Sequence, residues 1–422
     1  MQKDFLTLDD FDFKDKLVLV RVDINSPVEK GKITDDSRIR ECAKTIKELS
    51  DKGAKVVVLA HQGRVGKSDF ITLKNHAKIM SKNFGKRVKY IDDLFGRKAQ
   101  NAIKRLKSSE ILLLENTRFY SEEISFDDKP PEVMVNTHIV QNLAKLTDYF
   151  VNDAFAAAHR AQPSLIGFTE ILPSIAGRVM EKEIEMLSRA LKPERPCVAV
   201  LGGSKVDDSI DVATNMIKNK ITDRILTTGL VANIFLAAKG YQLGTKNIEI
   251  LKKELKEYDK ILMQAKALLE LDTYGNVIEV PSDIAINDEG KRKEISISSL
   301  PVEQLIQDIG HGAVERYSYL IKEAKTIIVN GPSGVFENEY FAYGTYELFK
   351  RIAEAQAFKV FGGGHTGAVV EKLKLQFKIE HLSTGGGACI NFLASKKMPA
   401  VEALKKSKER ELSGIYKQMT KN

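Results

Sequence analysis

The segment LVLVRVDINSP, residues 17–27, places three polar side chains two positions apart at the end of an apolar run: Arg21, Asp23 and Asn25. Side chains at alternate positions of a β-strand lie on one face of the sheet. In open α/β sheets, ligands bind at the carboxyl ends of the strands. The pattern predicts a strand that presents a cation, a carboxylate and an amide to a ligand. An edge strand with a solvated end is the alternative.

Further cationic side chains follow other apolar runs in the first half of the chain: Arg38, His61, Arg64, Arg118 and Arg160. Guanidinium groups bind carboxylates and phosphates through two parallel hydrogen bonds. Several of them at one sheet edge indicate a site for a multiply charged anion, such as a phosphorylated carboxylic acid. Isolated surface ion pairs are the alternative. For His159, beside Arg160, we expect packing or hydrogen bonding rather than catalysis.

In the second half, glycines follow the apolar runs, at residues 201–205 (LGGSK), 330–334 (NGPSG), 361–365 (FGGGH) and 383–387 (STGGG). Glycine lets backbone N–H groups and helix N-termini come close to phosphate oxygens. Lys205 adds a mobile positive charge. These loops predict a nucleotide phosphate site, and tight turns alone are the alternative.

Two other motifs need an explanation. Residues 362–367 match G-x-G-x-x-G, with Glu380 further on, which is typical of dinucleotide binding and would indicate a nicotinamide dehydrogenase. The motif lies late in the chain, without a following half-domain, and leaves three other glycine loops unexplained. Residues 63–68 resemble the end of a P-loop, but His61 stands where the first glycine belongs. We therefore disfavour both a dehydrogenase and a P-loop protein.

Short apolar runs alternate with segments of helical periodicity, which predicts parallel sheets and an α/β fold. The predicted strands are residues 17–22, 55–59, 111–114, 149–152, 198–201, 224–227, 326–329, 359–361 and 378–382, and the clearest helices are 38–52, 176–191 and 211–220. The helix at 176–191 lies between Pro173 and the pair Pro193 and Pro196, and this favours a domain boundary there.

Length and composition fit an ordinary globular protein. A chain of 422 residues is long enough for two domains at about 150 residues each. The net charge of +8 favours anionic ligands, but the basic residues are dispersed and Trp is absent, which argues against nucleic acid. No apolar run approaches the ~20 residues of a membrane span. A polar first segment and three widely spaced cysteines favour a reduced, cytoplasmic protein.

The motifs RVDINSP, AHQGR, GGSK, NGPSGVFE, FGGGH and STGGGA resemble those of the phosphoglycerate kinase family, in the family's order and over essentially the full chain. The resemblance implies a phosphotransferase with a carboxyl group as acceptor. It would transfer a phosphoryl group reversibly between 1,3-bisphosphoglycerate and ADP, giving 3-phosphoglycerate and ATP in glycolysis and gluconeogenesis, with Mg²⁺ carried by the nucleotide.

The resemblance also implies two Rossmann-like domains with parallel sheets, joined by a hinge helix that allows them to close. Residues 1–175, joined by a C-terminal helix at 400–422, would bind 3-phosphoglycerate. Residues 176–399 would hold the hinge helix and the nucleotide-binding domain. A monomer is expected, with a homodimer as the alternative.

Site residues follow from the resemblance position by position. The glycerate ligands would be Asp23, Asn25, Arg38, His61, Arg64, Arg118 and Arg160. The nucleotide ligands would be Lys205, Asn330, Glu337, Gly363, Gly364, His365 and Thr366. Arg38, Lys205 and the amides of Gly363, Gly364 and Gly386 would stabilise the transferring group.

The chain departs from the commoner family pattern at three places, which together resemble the archaeal branch. His365 replaces an aspartate beside the magnesium, Ser209 replaces a second lysine, and TTGLVAN replaces a glycine-rich stretch. No metal ligand is assigned, although Asp208 could contribute a distant oxygen. A catalytically silent binding protein is the rival hypothesis, and it is disfavoured because Arg38 and Lys205 are present.

Overall fold

The computed structural model describes residues 3–272 and 275–416. The chain divides into two compact units, of which unit 1 comprises Met1–Ile184 and Lys397–Asn422, and unit 2 comprises Glu185–Lys396. Each unit contains a six-stranded sheet in which every pairing is parallel. The predicted α/β fold with two parallel-sheet domains is confirmed.

The strands of unit 1 are β1 (Leu17–Arg21), β2 (Val28–Glu29), β3 (Lys32–Ile33), β4 (Lys55–Leu59), β5 (Val88–Tyr90), β6 (Ile111–Leu113), β7 (Tyr149–Asn152) and β8 (Ser174–Ala176). The main sheet has the order β5-β6-β4-β1-β7-β8, while β2 and β3 form a separate hairpin. In register, Arg21 pairs with Leu59 on one side and with Asn152 on the other. The loops that follow β1, β4 and β7 therefore leave the sheet at the same level.

The helices of unit 1 are α1 (Ser37–Asp51), α2 (Lys74–Phe84), α3 (Arg97–Lys104), α4 (Glu122–Ser125), α5 (Pro131–Met134), α6 (His138–Leu143), α7 (Pro163–Ile166) and α17 (Pro399–Leu412). Alternate residues of β1 pack on opposite faces of the sheet. Val18 and Val20 belong to the cluster that contains apolar residues of α1 and α2, and Leu19 to the cluster with α3 and α6. Both faces of the strand are buried, as expected for a parallel sheet.

Helix α8 (Arg178–Leu191) begins in unit 1 and ends in unit 2. The side chain of Asp153 accepts hydrogen bonds from the backbone N–H groups of Val179 and Met180, at 2.8 and 3.1 Å. Arg178 forms ion pairs with Asp9 and Glu48 at 2.6 and 2.7 Å. The start of α8 is thus anchored in unit 1.

The strands of unit 2 are β9 (Cys197–Leu201), β10 (Arg224–Thr227), β11 (Ile278–Glu279), β12 (Asp283–Asp288), β13 (Lys291–Ser296), β14 (Leu305–Ile309), β15 (Thr326–Asn330), β16 (Phe358–Gly362) and β17 (His381–Leu382). The parallel sheet has the order β11-β10-β9-β15-β16-β17. The direction of winding reverses between β9 and β15, and a ligand crevice is expected at such a point. A second, antiparallel sheet has the order β13-β12-β14.

The helices of unit 2 are α9 (Val206–Lys218), α10 (Gly229–Ala238), α11 (Thr245–Glu254), α12 (Tyr258–Leu271), α13 (His311–Glu323), α14 (Tyr343–Glu354), α15 (Gly364–Lys372) and α16 (Gly387–Leu393). Apolar residues of α13, α14 and α15 form one core with β9 and β15. Helices α9, α10, α12 and α16 pack with one another. Short 3-10 turns complete the chain at Thr117–Phe119, Ala144–Leu146, Phe155–Ala157, Gly167–Glu170, Ile297–Ser299, Glu339–Phe341 and Gln376–Lys378.

Several predicted boundaries differ from the structure. The strand predicted at 378–382 is shortened to β17, because Gln376–Lys378 forms a 3-10 turn. Helix α9 begins five residues before the predicted start, and its first turn contains Asp207 and Asp208, which suit the positive end of the helix dipole. The predicted C-terminal helix ends at Leu412, and residues 417–422 lie outside the described residues.

No helix within residues 3–272 and 275–416 has both the length and the apolar character that crossing a membrane requires.

Candidate active site

Arg21, the last residue of β1, is fully buried. Its Nε donates to Ser164 Oγ at 2.9 Å, and its Nη2 donates to His61 Nδ1 at 2.9 Å. Ser164 Oγ in turn donates to the buried carboxylate of Glu123. β1 ends at Arg21, so Asp23 and Asn25 lie in the loop that follows, where Val22 and Ile24 belong to the same core cluster as Val18 and Val20. That the three polar side chains share one face stays a prediction. Arg21 contacts neighbouring side chains of the protein instead of lining an open face.

His61 follows β4 and accepts the hydrogen bond from Arg21 at its Nδ1. A guanidinium group can only donate, so the neutral ring carries its proton on Nε2. Burial and the charge of Arg21 hold the pKa of His61 well below its ordinary value, although Asp23 opposes them. His61 is therefore a neutral ring whose Nε2–H is the group that can donate to an anion.

Asp23 and Arg38 form an ion pair, with Nη1 and Oδ2 separated by 2.6 Å. Burial alone would raise the pKa of Asp23, but the charge of Arg38, the hydrogen bond from the Asn25 backbone N–H and the charge of Arg21 outweigh it and lower the pKa. The Arg38 side chain remains 35% exposed and borders a cavity of about 390 Å³ together with Asn25. The pair keeps Asp23 charged and holds a guanidinium group beside that cavity.

Arg118 and Arg160 add positive charge near Arg21. Burial lowers the pKa of Arg118 to about 10, and the charges of Arg160 and Arg21 act in the same direction. The Arg118 side chain donates to the backbone carbonyl of Gly63, which anchors it to the loop after β4. Like charges held together in a mostly buried place repel one another, and a bound polyanion relieves that repulsion.

The structure brings most of the predicted glycerate ligands into one linked set. Asn25 Oδ1 accepts a hydrogen bond from the Gly63 N–H at 2.8 Å, so the loop after β1 is tied to the loop after β4. Arg64 is exposed, and its part in binding stays a prediction. His159 Nε2 lies 3.4 Å from Arg160 Nε, and burial together with Arg160 lowers the pKa of His159. These contacts agree with the hydrogen-bonding role expected for His159.

The supporting residues Ser164, Glu123, Gln62 and Asn116 were not singled out from the sequence. Nothing in the spacing connects Arg21 with positions more than 100 residues away. Gln62 and Asn116 are different, because Gln62 directly follows His61 and Asn116 lies two residues before Arg118. An amide side chain so close to predicted ligands is a signal that could have identified them.

In unit 2, the glycines that follow β9 and β15 pack against each other. A Cβ atom on Gly331 would lie 2.2 Å from the carbonyl oxygen of Gly202, and one on Gly202 would lie 2.5 Å from that of Pro332. Gly331 also has a φ of +91°, which other residues rarely adopt. At these positions glycine is required for tight packing of the loops.

The glycines that follow β16 and β17 have different surroundings. A Cβ atom on Gly364 or Gly386 would meet no atom within 4 Å. Gly363 precedes α15 with a φ of +94°, and no side chain caps the helix there. The space beside Gly364 therefore lies next to the uncapped start of α15. A helix N-terminus of this kind binds phosphate through backbone N–H groups and the helix dipole.

Thr366 connects the two kinds of loop, and Asn330 joins the two packed loops. The Thr366 Oγ1 accepts a hydrogen bond from the Gly331 N–H at 2.9 Å, and Thr366 is fully buried. The Asn330 carbonyl accepts from the Gly202 N–H at 2.8 Å. The threonine hydroxyl therefore holds the loop after β15 as an acceptor. Its O–H can still donate, so its predicted contact with the nucleotide stays a prediction.

A cavity of about 350 Å³ lies beside these loops and β14. Its lining is mostly apolar and includes Gly203, Leu230, Ile306, Phe336, Glu337 and His365. His365 is exposed, and its ring lies 6.1 Å from that of Phe336. Lys205 is exposed directly before α9. An apolar cavity next to an open helix N-terminus suits a flat ring carrying a chain of phosphates.

Metal binding by the protein alone has no support in the described part of the chain. There, no three His, Cys, Asp or Glu side chains are grouped so that they could hold an ion. Ser209 is fully buried, and Asp208 lies in the first turn of α9. These residues do not form a cage for a resident magnesium ion.

Comparison with known proteins agrees with these features. The sequence model of the phosphoglycerate kinase family matches residues 8–396, including the G-x-G-x-x-G motif, so the dehydrogenase alternative is dropped. Phosphoglycerate kinase from Methanothermus fervidus is 49% identical over 96% of this chain and 98% of its own. That from Pyrococcus abyssi is 47% identical, with the same two shares.

Two solved structures are also similar. Phosphoglycerate kinase from Pyrococcus horikoshii OT3 has a TM-score of 0.87 and 45% identity over 96% of this chain and 100% of its own. Phosphoglycerate kinase from Coxiella burnetii has a TM-score of 0.81 and 32% identity over 95% of this chain and 99% of its own. With a family match over nearly all of its length and relatives of almost one-half identity, the chain belongs to the phosphoglycerate kinase family.

Proposed function

We propose that the chain transfers a phosphoryl group reversibly between 1,3-bisphosphoglycerate and ADP, forming 3-phosphoglycerate and ATP in glycolysis and gluconeogenesis. The observation that carries this proposal is the contrast between the cationic sheet edge of unit 1 and the glycine-lined edge of unit 2. A small polyanion suits the first, and a nucleotide suits the second.

In unit 1, the glycerate ligand contacts the side chains that already form one set. The neutral Nε2–H of His61 and the amide of Asn25 donate to its oxygens, and the charged Asp23 accepts from its hydroxyl group. The phosphate that does not react binds to Arg64, Arg118 and Arg160. The repulsion between Arg118 and Arg160 supports a phosphate site there, because a phosphate dianion removes that repulsion.

Arg38 acts on the group that is transferred. It lies in the first turn of α1, beside a cavity, and Asp23 holds it in place. Phosphoryl transfer needs alignment of the reacting oxygens and cancellation of their charge, with little proton transfer. A guanidinium group that is anchored at one nitrogen keeps further N–H groups for the moving phosphoryl oxygens.

In unit 2, the nucleotide base occupies the apolar cavity and Glu337 binds the ribose. The phosphates meet Lys205, Asn330, His365 and the N–H groups of Gly363, Gly364 and Gly386. Thr366 contributes by holding the Gly331 loop, since its hydroxyl group already accepts from that backbone N–H. Mg²⁺ enters as part of the nucleotide substrate, bound mainly by phosphate oxygens and water.

Because Arg38 and Lys205 belong to different units, transfer requires the units to close on the two ligands. Closure excludes the water that would hydrolyse the acyl phosphate. Small-angle scattering should show a more compact particle with both ligands than with either alone. An unchanged radius of gyration would contradict the closure.

A coupled assay of ATP formation from 1,3-bisphosphoglycerate and ADP tests the function. Turnover that depends on both substrates supports it. Binding of both ligands by calorimetry without turnover would instead support the catalytically silent binding protein. We also propose a cytoplasmic monomer, and sedimentation would distinguish it from a homodimer.

A further inference from the structure

Three amide side chains connect the loops that carry the glycerate ligands. Asn25 contacts the N–H of Gly63, as described above. Gln62 N–H donates to Asn116 Oδ1 at 3.2 Å, and Asn116 Nδ2 donates back to the Gln62 carbonyl at 2.8 Å. Asn116 Oδ1 also accepts from the Arg118 N–H at 3.1 Å. The loops after β1, β4 and β6 are thus joined through amide groups, of which those of Gln62 and Asn116 are fully buried.

The orientation of the Gln62 side chain is fixed by its backbone partners. Its Oε1 accepts from the Ser26 N–H, and its Nε2 donates to the Ser26 carbonyl, both at 2.9 Å. Gln62 is fully buried, and reversing the amide would place donor against donor and acceptor against acceptor. Gln62 therefore fixes the backbone of Ser26, the residue after Asn25, in one position.

His76 on α2 supplies a second contact to the oxygen of this amide, and the Asp69 carbonyl accepts from the Gln62 Nε2 at 3.3 Å. The His76 Nε2 lies 3.0 Å from Gln62 Oε1, which already accepts from Ser26. An oxygen can only accept, so His76 must donate from Nε2. Burial lowers the pKa of His76 to about 4, although Glu115 opposes this, so the ring is neutral at ordinary pH. His76 is a fixed donor in a fully buried position.

We propose that Gln62, held by His76, is a positioning residue for the glycerate site. This inference rests on the proposed function. Gln62 is not among the predicted ligands, but it sets residues 23–26 against residues 61–64, and both segments carry predicted ligands. A shift of about 1 Å in such a site can cost up to a hundredfold in rate.

The test compares Gln62→Met with wild type and with Gln141→Met. Gln141 is a matched control, because it lies in unit 1 on α6 and donates to the Val135 carbonyl at 2.8 Å, away from these loops. We expect Gln62→Met to raise KM for 3-phosphoglycerate on the order of tenfold. KM for ATP should stay within about twofold of wild type, and Gln141→Met should change neither constant.

A folded Gln62→Met variant with wild-type KM for 3-phosphoglycerate would overturn the inference, as would an equal rise in both KM values. If Gln62→Met does not fold, the variants His76→Leu and His76→Gln test the inference instead. His76→Leu should raise KM for 3-phosphoglycerate, and His76→Gln should partly restore it because an amide can still donate. Equal constants in the two variants would overturn the inference. Absence of turnover in the wild type would instead refute the proposed function.

Discussion

In unit 1 the sheet edge carries its positive charge on side chains, whereas in unit 2 the open positions are backbone N–H groups at the start of α15. The charged edge needs internal support. Arg21 and His61 share a hydrogen bond, Asp23 neutralises Arg38, and the pKa values of His61 and Arg118 are lowered. The glycine edge needs backbone geometry, with positive φ at Gly331 and Gly363.

Under the proposed function, the difference assigns a different kind of phosphorylated ligand to each unit. A cluster of side-chain cations suits a compact ligand with charge at both ends. Backbone N–H groups beside an apolar cavity suit a ligand that combines a ring with phosphates. Substitutions should therefore affect one substrate and leave the other nearly unchanged.

The largest effect is expected at Arg38. Arg38→Ala should lower kcat by about 10³-fold, with a much smaller change in KM for 3-phosphoglycerate, because its charge acts mainly on the transferring group. Steady-state kinetics measure the changes in kcat and KM separately. Arg40→Ala is the control, since Arg40 lies on the same helix and pairs with Asp36 at the exposed surface. A loss confined to KM would assign Arg38 to ground-state binding only.

Unit 1 should also show a pH-dependent stability through Asp153, which accepts from the first N–H groups of α8. Burial raises the pKa of Asp153 to about 7, although Thr45, Met180 and Val179 oppose it. The pKa of Asp153 in the folded protein lies above its ordinary value. The contribution of this carboxyl group to the free energy of unfolding is therefore complete below about pH 4 and is lost as pH rises through about 7.

Between pH 5 and 8, this carboxyl group should remove roughly 3 kcal/mol from the free energy of unfolding. Thermal unfolding across this range should show a flatter profile for Asp153→Asn than for wild type. Asp92→Asn, at a side chain that is 63% exposed, serves as the control and should keep the wild-type slope. If the melting temperatures of Asp153→Asn and wild type changed with pH in parallel, Asp153 would not be the group that makes the stability depend on pH.

Arg64 should show the opposite kinetic balance to Arg38. If Arg64 binds the phosphate that does not react, Arg64→Ala raises KM for 3-phosphoglycerate roughly 10- to 100-fold and leaves kcat nearly unchanged. KM for ATP should not change. A drop in kcat as large as that of Arg38→Ala would remove the distinction between binding and transfer within unit 1.

In unit 2, two glycine substitutions separate the packed loops from the open ones. Gly364→Ala should keep the protein folded and raise KM for ATP up to about tenfold, because the new methyl group occupies space next to the helix N-terminus. Gly331→Ala should mainly lower the melting temperature, since its Cβ would collide with the Gly202 carbonyl. Unchanged KM for ATP in Gly364→Ala would mean that the phosphates bind elsewhere.

The smallest effect is expected at His365, where an imidazole is a poor ligand for a hard cation such as magnesium. His365→Asp should lower the magnesium concentration required for half-maximal activity severalfold and leave KM for 3-phosphoglycerate unchanged. A magnesium titration at fixed nucleotide measures this. If only the melting temperature changes, His365 serves the start of α15 and has no role near the metal.

Much of the framework can be read from the sequence. Strands β1, β4, β9 and β15 were predicted because each is a run of branched apolar residues followed by polar residues or glycine. The sheet β12–β14 was not predicted, since β13 reads KRKEIS and lies mostly exposed at the edge of a small antiparallel sheet. Strand β8 is three residues long and directly follows Pro173, so it gives almost no periodic signal.

The site shows a similar division. Asp23 and His61 could be found because their motifs place them two residues after apolar strands. Arg38 lies on α1, and only the resemblance to the family assigned its role. The role of Arg21 could not be found, because its burial depends on Ser164, which lies 143 residues away. Gln62, in a loop, contacts His76 on the following helix, 14 residues further along the chain. Only the folded chain shows that Gln62 also hydrogen-bonds Ser26. Long-range hydrogen bonds are the part that periodicity cannot predict.

The most direct test of the two-edge account is amide hydrogen exchange with each ligand alone. 3-Phosphoglycerate should protect residues 22–26, 61–64 and 116–119, while ADP with Mg²⁺ should protect residues 202–206 and 363–367. Each ligand alone should leave the loops of the other unit at their exchange rates in the free protein. Protection of the glycine loops by 3-phosphoglycerate, or of the arginine loops by ADP, would contradict the assignment of one ligand to each unit.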